Sequence, residues 1–197
     1  MRRIITRALA GVGAIAIVFL IGAVVTGVTL VRRGFSARTP PSPVEEFLAL
    51  RVRSLATPAT VRALKNPLAV DDEVMAGARH HFADHCAQCH ANDGSGQTEM
   101  GRNLYPKAPD MRAPRTQDLT DGELYSIIEN GIRLSGMPAW SEEHGTGEET
   151  WALVAFIRHL PKVSPAELQE MEKINPKGPG EQSEEEEEKA PLIRRER

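Results

Sequence analysis

Cysteine is scarce in this chain: there are two in 197 positions, both inside Cys86-Ala-Gln-Cys89-His90. Three uses of such a pair must be separated: a disulfide or redox dithiol, a metal site, or chemistry that enlists the adjoining histidine. Aromatic residues make up only 5 % and the formal charge is a mild −3, so nothing in the totals argues for nucleic-acid binding through a basic surface. No stretch alternates apolar and polar residues as a half-buried strand would, which removes the case for a sheet. No segment recurs, and 197 residues give room for one ordinary domain with extensions, not two cores.

Charge is also missing locally. From Ala8 to Val31 there is no ionisable side chain, and about 24 positions at about 1.5 Å each exceed a hydrocarbon core of about 30 Å. The run is predicted to be an uncleaved transmembrane anchor. A cleaved signal peptide is the alternative, since Arg2, Arg3 and Arg7 supply a positive start. The run is nevertheless long for the apolar part of a signal, and no A-x-A site follows it. Arg32, Arg33 and Arg38 on the far side nearly balance the positive-inside rule, so the flanks do not orient the span.

The remainder divides by composition. Residues 32–71 read as a linker with prolines at 40, 41 and 43 that favour an extended path, then a peripheral helix whose apolar residues Phe47, Leu48, Leu50, Val52 and Leu55 are weakly amphipathic. Residues 72–162 read as the one folded domain, all-α with long loops. Asp71 or Asp72 can cap a first helix with Val74, Ala78, Phe82 and Cys86 on one face. Thr120 and Glu123 fit a capping box for a second helix carrying Leu124, Ile127 and Ile128, which Gly131 is placed to stop. Trp151, Val154, Ala155 and Phe156 mark a third, with Pro161 just beyond it. Residues 163–197 read as a short helix (PAELQEMEKI) followed by a tail whose Glu184–Glu188 run cannot offset its ordering entropy by burial. That tail is expected to be disordered and solvating; steering a basic partner is its alternative role.

C-x-x-C-H is a c-type haem attachment signature. Two thiols two residues apart can add to the two vinyl groups of one haem, and the next residue then brings an imidazole to the iron from the same side. The expected roles are Cys86 and Cys89 as attachment points and His90 as axial ligand. A thioredoxin-like dithiol would want a βαβ setting, which is absent, and a zinc site would need two further ligands. His80, His81 and His85 could offer them, but polar positions on a solvated helix face are the plainer reading.

The second axial position must be filled from Met1, Met75, Met100, Met111, Met137, Met171 or a spare histidine. Met100 follows His90 too closely to reach the opposite face, and Met75 belongs to the helix before the motif. Met137 is the preferred candidate. It sits in a loop between Gly136, which leaves room for a close approach, and Pro138, which stiffens the chain; core filling is the ordinary alternative for a methionine. Met111 and His144 remain open as substitutes.

With these residues in view, the chain resembles the class I c-type cytochromes, specifically the membrane-anchored bacterial monohaem proteins. "CAQCH", "NDGSG", "GRNLYPKAPDM", "TDGELYSIIENGI", "SGMPAW" and "TWALVAFIRHL" carry the resemblance, which covers residues 72–162. It implies a small helical wrap round one haem in which Gly77 and Phe82 meet Phe156, Trp151 helps cover the haem, and a carbonyl of Pro106 or Pro109 accepts a bond from His90. It also implies attachment on the outer face of a bacterial inner membrane, with residues 1–7 cytoplasmic, residues 8–31 in the lipid bilayer as a single pass, and residues 32–197 periplasmic.

The expected function is electron transfer with one covalent haem c: His/Met ligation closes the iron, so electrons pass singly to or from a membrane redox complex such as an oxidase, reductase or reaction centre. No catalytic residue and no nucleic-acid partner are expected. A haem enzyme or gas sensor with a labile sixth ligand is the alternative reading.

Overall fold

The charge-free run near the N-terminus forms one helix, α1 (Arg2–Arg33), whose segment Ala10–Arg32 is long and apolar enough to cross a bilayer. The computed structural model describes residues 2–34, 36–140 and 147–176, and among them every regular element is helical. The expected disordered run Glu184–Glu188 lies outside the described residues. The chain separates into two compact units, residues 1–37 and 38–197.

The peripheral helix expected after the prolines is present, but it begins at Pro43, which was read as part of the extended path. α2 (Pro43–Ala56) starts on Pro43 itself, with Ser42 accepting from the Glu45 amide at 3.2 Å. Proline suits the first helical position because its missing N–H is one the helix cannot satisfy internally. α2 contains no buried residue, as a peripheral element should. A single turn, α3 (Ala59–Arg62), comes next. Its Val61 carbonyl packs so tightly on Gly122 of α8 (Asp121–Asn130) that any side chain at 122 would overlap it.

Asp71, not Asp72, caps α4 (Asp72–His81), accepting from the Val74 amide at 2.9 Å. The stripe expected through Cys86 faces the core at Ala78, Phe82 and Cys86, but the helix that carries it is not regular. Residues Phe82–Cys86 form a π turn before α5 (Ala87–His90), and a wider turn rephases the side chains C-terminal to it. Ala83 and Ala87 therefore join Ala78 and Phe82 in the core, and Cys86, packed against that core, also lines a cleft. α6 (Glu99–Asn103) and α7 (Pro114–Gln117) punctuate the long connection to α8. α8 has the expected Thr120–Glu123 capping box and ends at Gly131, φ 62°.

α9 (Glu148–His159) packs on both α4 and α8. The rings of Phe82 and Phe156 meet with centroids 5.2 Å apart and tilted by 56°, a geometry that contributes about 0.5–1.5 kcal/mol beyond the area buried. Gly77, expected at the same crossing, is instead solvent-facing, with nothing near the position a Cβ would take. After a 3₁₀ turn at Leu160–Lys162, α10 (Pro165–Glu172) folds back and buries Met171 completely in the core.

Polar ties brace this packing. Arg158 bonds Asp121 at 2.8 Å, the Gln117 carbonyl at 2.6 Å and the Leu119 carbonyl, linking α9 to the α7–α8 connection. The Gln117 side-chain Nε2 donates to the carbonyls of Met111 and Ile157 at 2.7 and 2.9 Å. The loop bearing Met111 is thereby tied to α9.

Candidate functional site

The loop between α8 and α9 folds back because Gly131 lets it. At φ 62°, a backbone conformation that L side chains rarely adopt, Gly131 redirects the chain, and a Cβ there would stand 2.6–2.7 Å from backbone atoms of Met137, Pro138 and Ala139. The returning arm of the loop is then bonded in place. Ile132 N donates to Met137 O at 3.1 Å, Trp140 N donates to Ile128 O at 3.0 Å, and Met137 N donates to Ser135 Oγ at 3.1 Å. Gly136 leaves room for the Leu104 side chain, so its small size serves loop packing within the protein.

The π turn and α5 present Cys86, Cys89 and His90. The chain leaves α5 through Ala91, which takes φ 61° and ψ 157° although it is not glycine. Backbone in sparsely populated regions persists where its surroundings hold it. Here Ala91 N donates to Ala87 O at 2.8 Å and Ala91 O accepts from Gly94 N at 3.0 Å.

These two segments line a partly open cleft. Cys86, Cys89, His90 and Met137 all line it, and so does Met111. The rest of the wall is largely apolar, with Leu104, Ile128, Ile132, Leu153 and Ile157 prominent. Both methionines left open by the sequence thus reach the same cleft, Met111 buried and Met137 half-buried. His144 lies outside the described residues. Met75, Met100 and Met171 do not line the cleft.

Electrostatics distinguishes the competing uses of the cysteines. They are unbridged. Burial, reinforced by the neighbouring Cys89, pushes the Cys86 thiol up to about 12, and burial raises Cys89 as well. Redox dithiols and zinc ligands need easily formed thiolates, so this environment disfavours both. Among the described residues no group of three His, Cys, Asp or Glu side chains converges to hold a metal ion. His81 and His85 instead pair with each other, ring centroids 4.8 Å apart.

His90 is buried, and that burial pushes its imidazole down to about 4, so the ring is neutral at pH 7. Its Nδ1 is buried with no hydrogen-bond partner, a condition that costs about 1–3 kcal/mol. Pro106 and Pro109 both line the cleft, yet neither carbonyl accepts from that nitrogen. A neutral imidazole, two thioethers and two thiols around an apolar cleft are a set of side chains that fits haem c.

Two neighbours differ from the sequence expectation. Trp151 does not line the cleft. It is buried against Tyr125, rings stacked at 4.2 Å, with its carbonyl accepting from Asn66 Nδ2 at 2.8 Å. Trp140 takes the place expected of Trp151, at the cleft wall and edge-on to His85 at 5.5 Å. His85, expected at a solvated position, is exposed but also stands on the rim. The signal for Trp140 is its place three residues after Met137 in "SGMPAW"; for His85 there is none, because the π turn that swings it round is invisible in a heptad-like pattern.

Fold and site together define a cytochrome c domain, the class whose covalent haem c carries out electron transfer. Residues 73–157 match the family described as Cytochrome C oxidase, cbb3-type, subunit III. Residues 73–157 are a cytochrome c domain, following an N-terminal apolar helix. The match covers less than half of the chain, and no curated protein matches it.

Proposed function

We propose that the chain is a membrane-anchored one-electron carrier with a single haem c held by Cys86, Cys89, His90 and Met137, exchanging electrons with a membrane oxidase complex. The observation that carries this reading is the convergence of those four side chains on one apolar cleft. When bound, haem c supplies the one-electron iron couple. The chain's own residues do the remainder. Cys86 and Cys89 are unbridged and two residues apart, the state and spacing that thioether formation at two vinyl groups requires. His90 is kept neutral, so its nitrogen lone pair is free to act as a donor. The bonded loop at 131–140 holds Met137 toward the same cleft. A thioether ligand raises the reduction potential, and a closed ligand set lets the oxidation state change with little rearrangement.

The description of the matched family names an oxidase subunit, which favours an oxidase over a reductase or reaction centre as the partner. α1 supports an uncleaved anchor by length and composition. Haem c is attached on the outer face of the bacterial inner membrane, which puts the cytochrome domain in the periplasm and Met1–Arg7 in the cytoplasm.

Absorption spectra of the purified protein in both redox states, a haem-stained denaturing gel and carbon monoxide titration test this together. The expected result is one covalent haem, a methionine-ligand band in the oxidised protein, and no rapid carbon monoxide binding. Fast binding by the intact reduced protein would favour the gas-sensor or enzyme reading, and a colourless protein from a host competent in haem attachment would end both. A mature chain that begins after residue 31 would replace the anchor with a cleaved signal.

A further inference from the structure

The polar half of α2 is occupied. Glu45 is hydrogen-bonded by Tyr105 and Glu46 is ion-paired with Arg115, while Arg53 is half-buried near Glu123. The opposite half is bare. Val44, Phe47, Leu48, Val52 and Leu55 recur at i, i+3/i+4 spacing and range from 55 % exposed at Phe47 and Leu48 to 85 % at Leu55. No described residue covers them, and the stripe carries no carboxylate. Its one charge is Arg51, whose guanidinium lies over the Phe47 ring at 5.2 Å. A soluble surface rarely gathers five large apolar side chains into one stripe without a use.

Chain connectivity indicates what that use is. Only nine residues, 34–42, separate the end of α1 from the start of α2, and at about 3.5 Å each they span at most about 30 Å. If α1 is in the bilayer, α2 begins within that distance of its surface. A 14-residue amphipathic helix with an acid-free apolar face and an arginine able to extend its charge from that face has the properties of an element lying in the headgroup layer of an anionic membrane. We propose that the Val44–Leu55 face of α2 is a lipid-binding surface, seated among anionic headgroups and acyl-chain ends. It rests on the anchor reading of α1 and adds to it a second, reversible contact. The cytochrome domain, gripped through Glu45 and Glu46, is thereby held close to the membrane with restricted tumbling, not left free on a tether.

The test uses the full chain in vesicles of phosphatidylethanolamine and phosphatidylglycerol, spin-labelled one site at a time at Leu48→Cys, Leu55→Cys, Ala49→Cys on the flank of α2, and Ala16→Cys in α1. The wild-type chain taken through the same labelling serves as the blank. Expected are severalfold fewer collisions with a water-soluble nickel chelate, and severalfold more with oxygen, at 48 and 55 than at 49, with 16 lipid-like. If 16 is lipid-like but 48 and 55 match 49, the proposal is overturned and the anchor stands. If 16 is aqueous, the anchor reading fails and takes the proposal with it. Aqueous behaviour at 48 and 55 in vesicles with shielding in native membranes would assign the face to a protein partner, and the lipid proposal would be wrong.

Discussion

Gly131 lies against the backbone of Met137: a Cβ at 131 would stand 2.7 Å from the Met137 carbonyl oxygen. The contact joins the end of α8 to the loop that carries the preferred axial ligand. Gly131→Ala meets both a positive φ and this overlap, so it should lower stability by about 1–3 kcal/mol and weaken the methionine-ligand band of the oxidised holoprotein. Gly136→Ala should do less, because the Leu104 side chain it meets can move. Denaturant unfolding and oxidised spectra of the two variants decide.

Met111 and Met137 share the cleft but differ in depth, and this separates their variants. Met137→Ala should abolish the methionine band and admit carbon monoxide, with a modest effect on folding. Met111→Ala, at a buried site whose backbone is tied through Gln117 to α9, should keep the band and lose about 2–5 kcal/mol of stability. Reversed spectra would make Met111 the ligand.

The elements that can be read in advance are those specified by local chemistry. Thr120 and Glu123 cap α8 by hydrogen bonds within four residues, and the Cys86–His90 spacing needs no knowledge of the fold. Long-range relations are not legible in the same way. That Phe82 meets Phe156 is implied by a resemblance, but the same resemblance puts Gly77 at the crossing and Trp151 over the haem. The π turn at 82–86 shifts the register of α5, and Trp151 is claimed by Tyr125 and Asn66, which no periodicity links to it. The start of α2 at Pro43 is hidden because proline signals both an extended path and a first helical turn.

Ala91 holds φ 61° immediately after His90, where glycine would be unstrained. Ala91→Gly should relieve the side-chain clash against a smaller entropic cost, raising stability by about 1 kcal/mol. The spectrum should be unchanged, since only a methyl group is lost. A fall in stability would mean that the Ala91 methyl is needed for packing.

Glu167 accepts from Ser164 N at 2.8 Å, contacts His159 at 2.9 Å and pairs with Arg79. Burial pushes its carboxyl up, but the Ser164 bonds and His159 more than offset this and hold it below the ordinary carboxylate range. Its contribution is therefore complete above the unfolded-state value near 4.5 and is lost as pH falls through the lower folded value. The holoprotein should show an acid loss of stability in that window. Glu167→Gln should be less stable at neutral pH with a shallower acid slope, which unfolding curves between pH 3 and 7 would reveal.

The packing of Val61 on Gly122, the Asn66 bond to Trp151 and the burial of Met171 all involve residues beyond the 73–157 match. A fragment excised at those two boundaries would therefore be frayed at both ends: the α8 and α9 surfaces would lose their cover, and a hole would open where α10 had docked. Anyone wishing to separate the electron-carrying part from its hydrophobic leader should cut ahead of α3 and beyond Asn175.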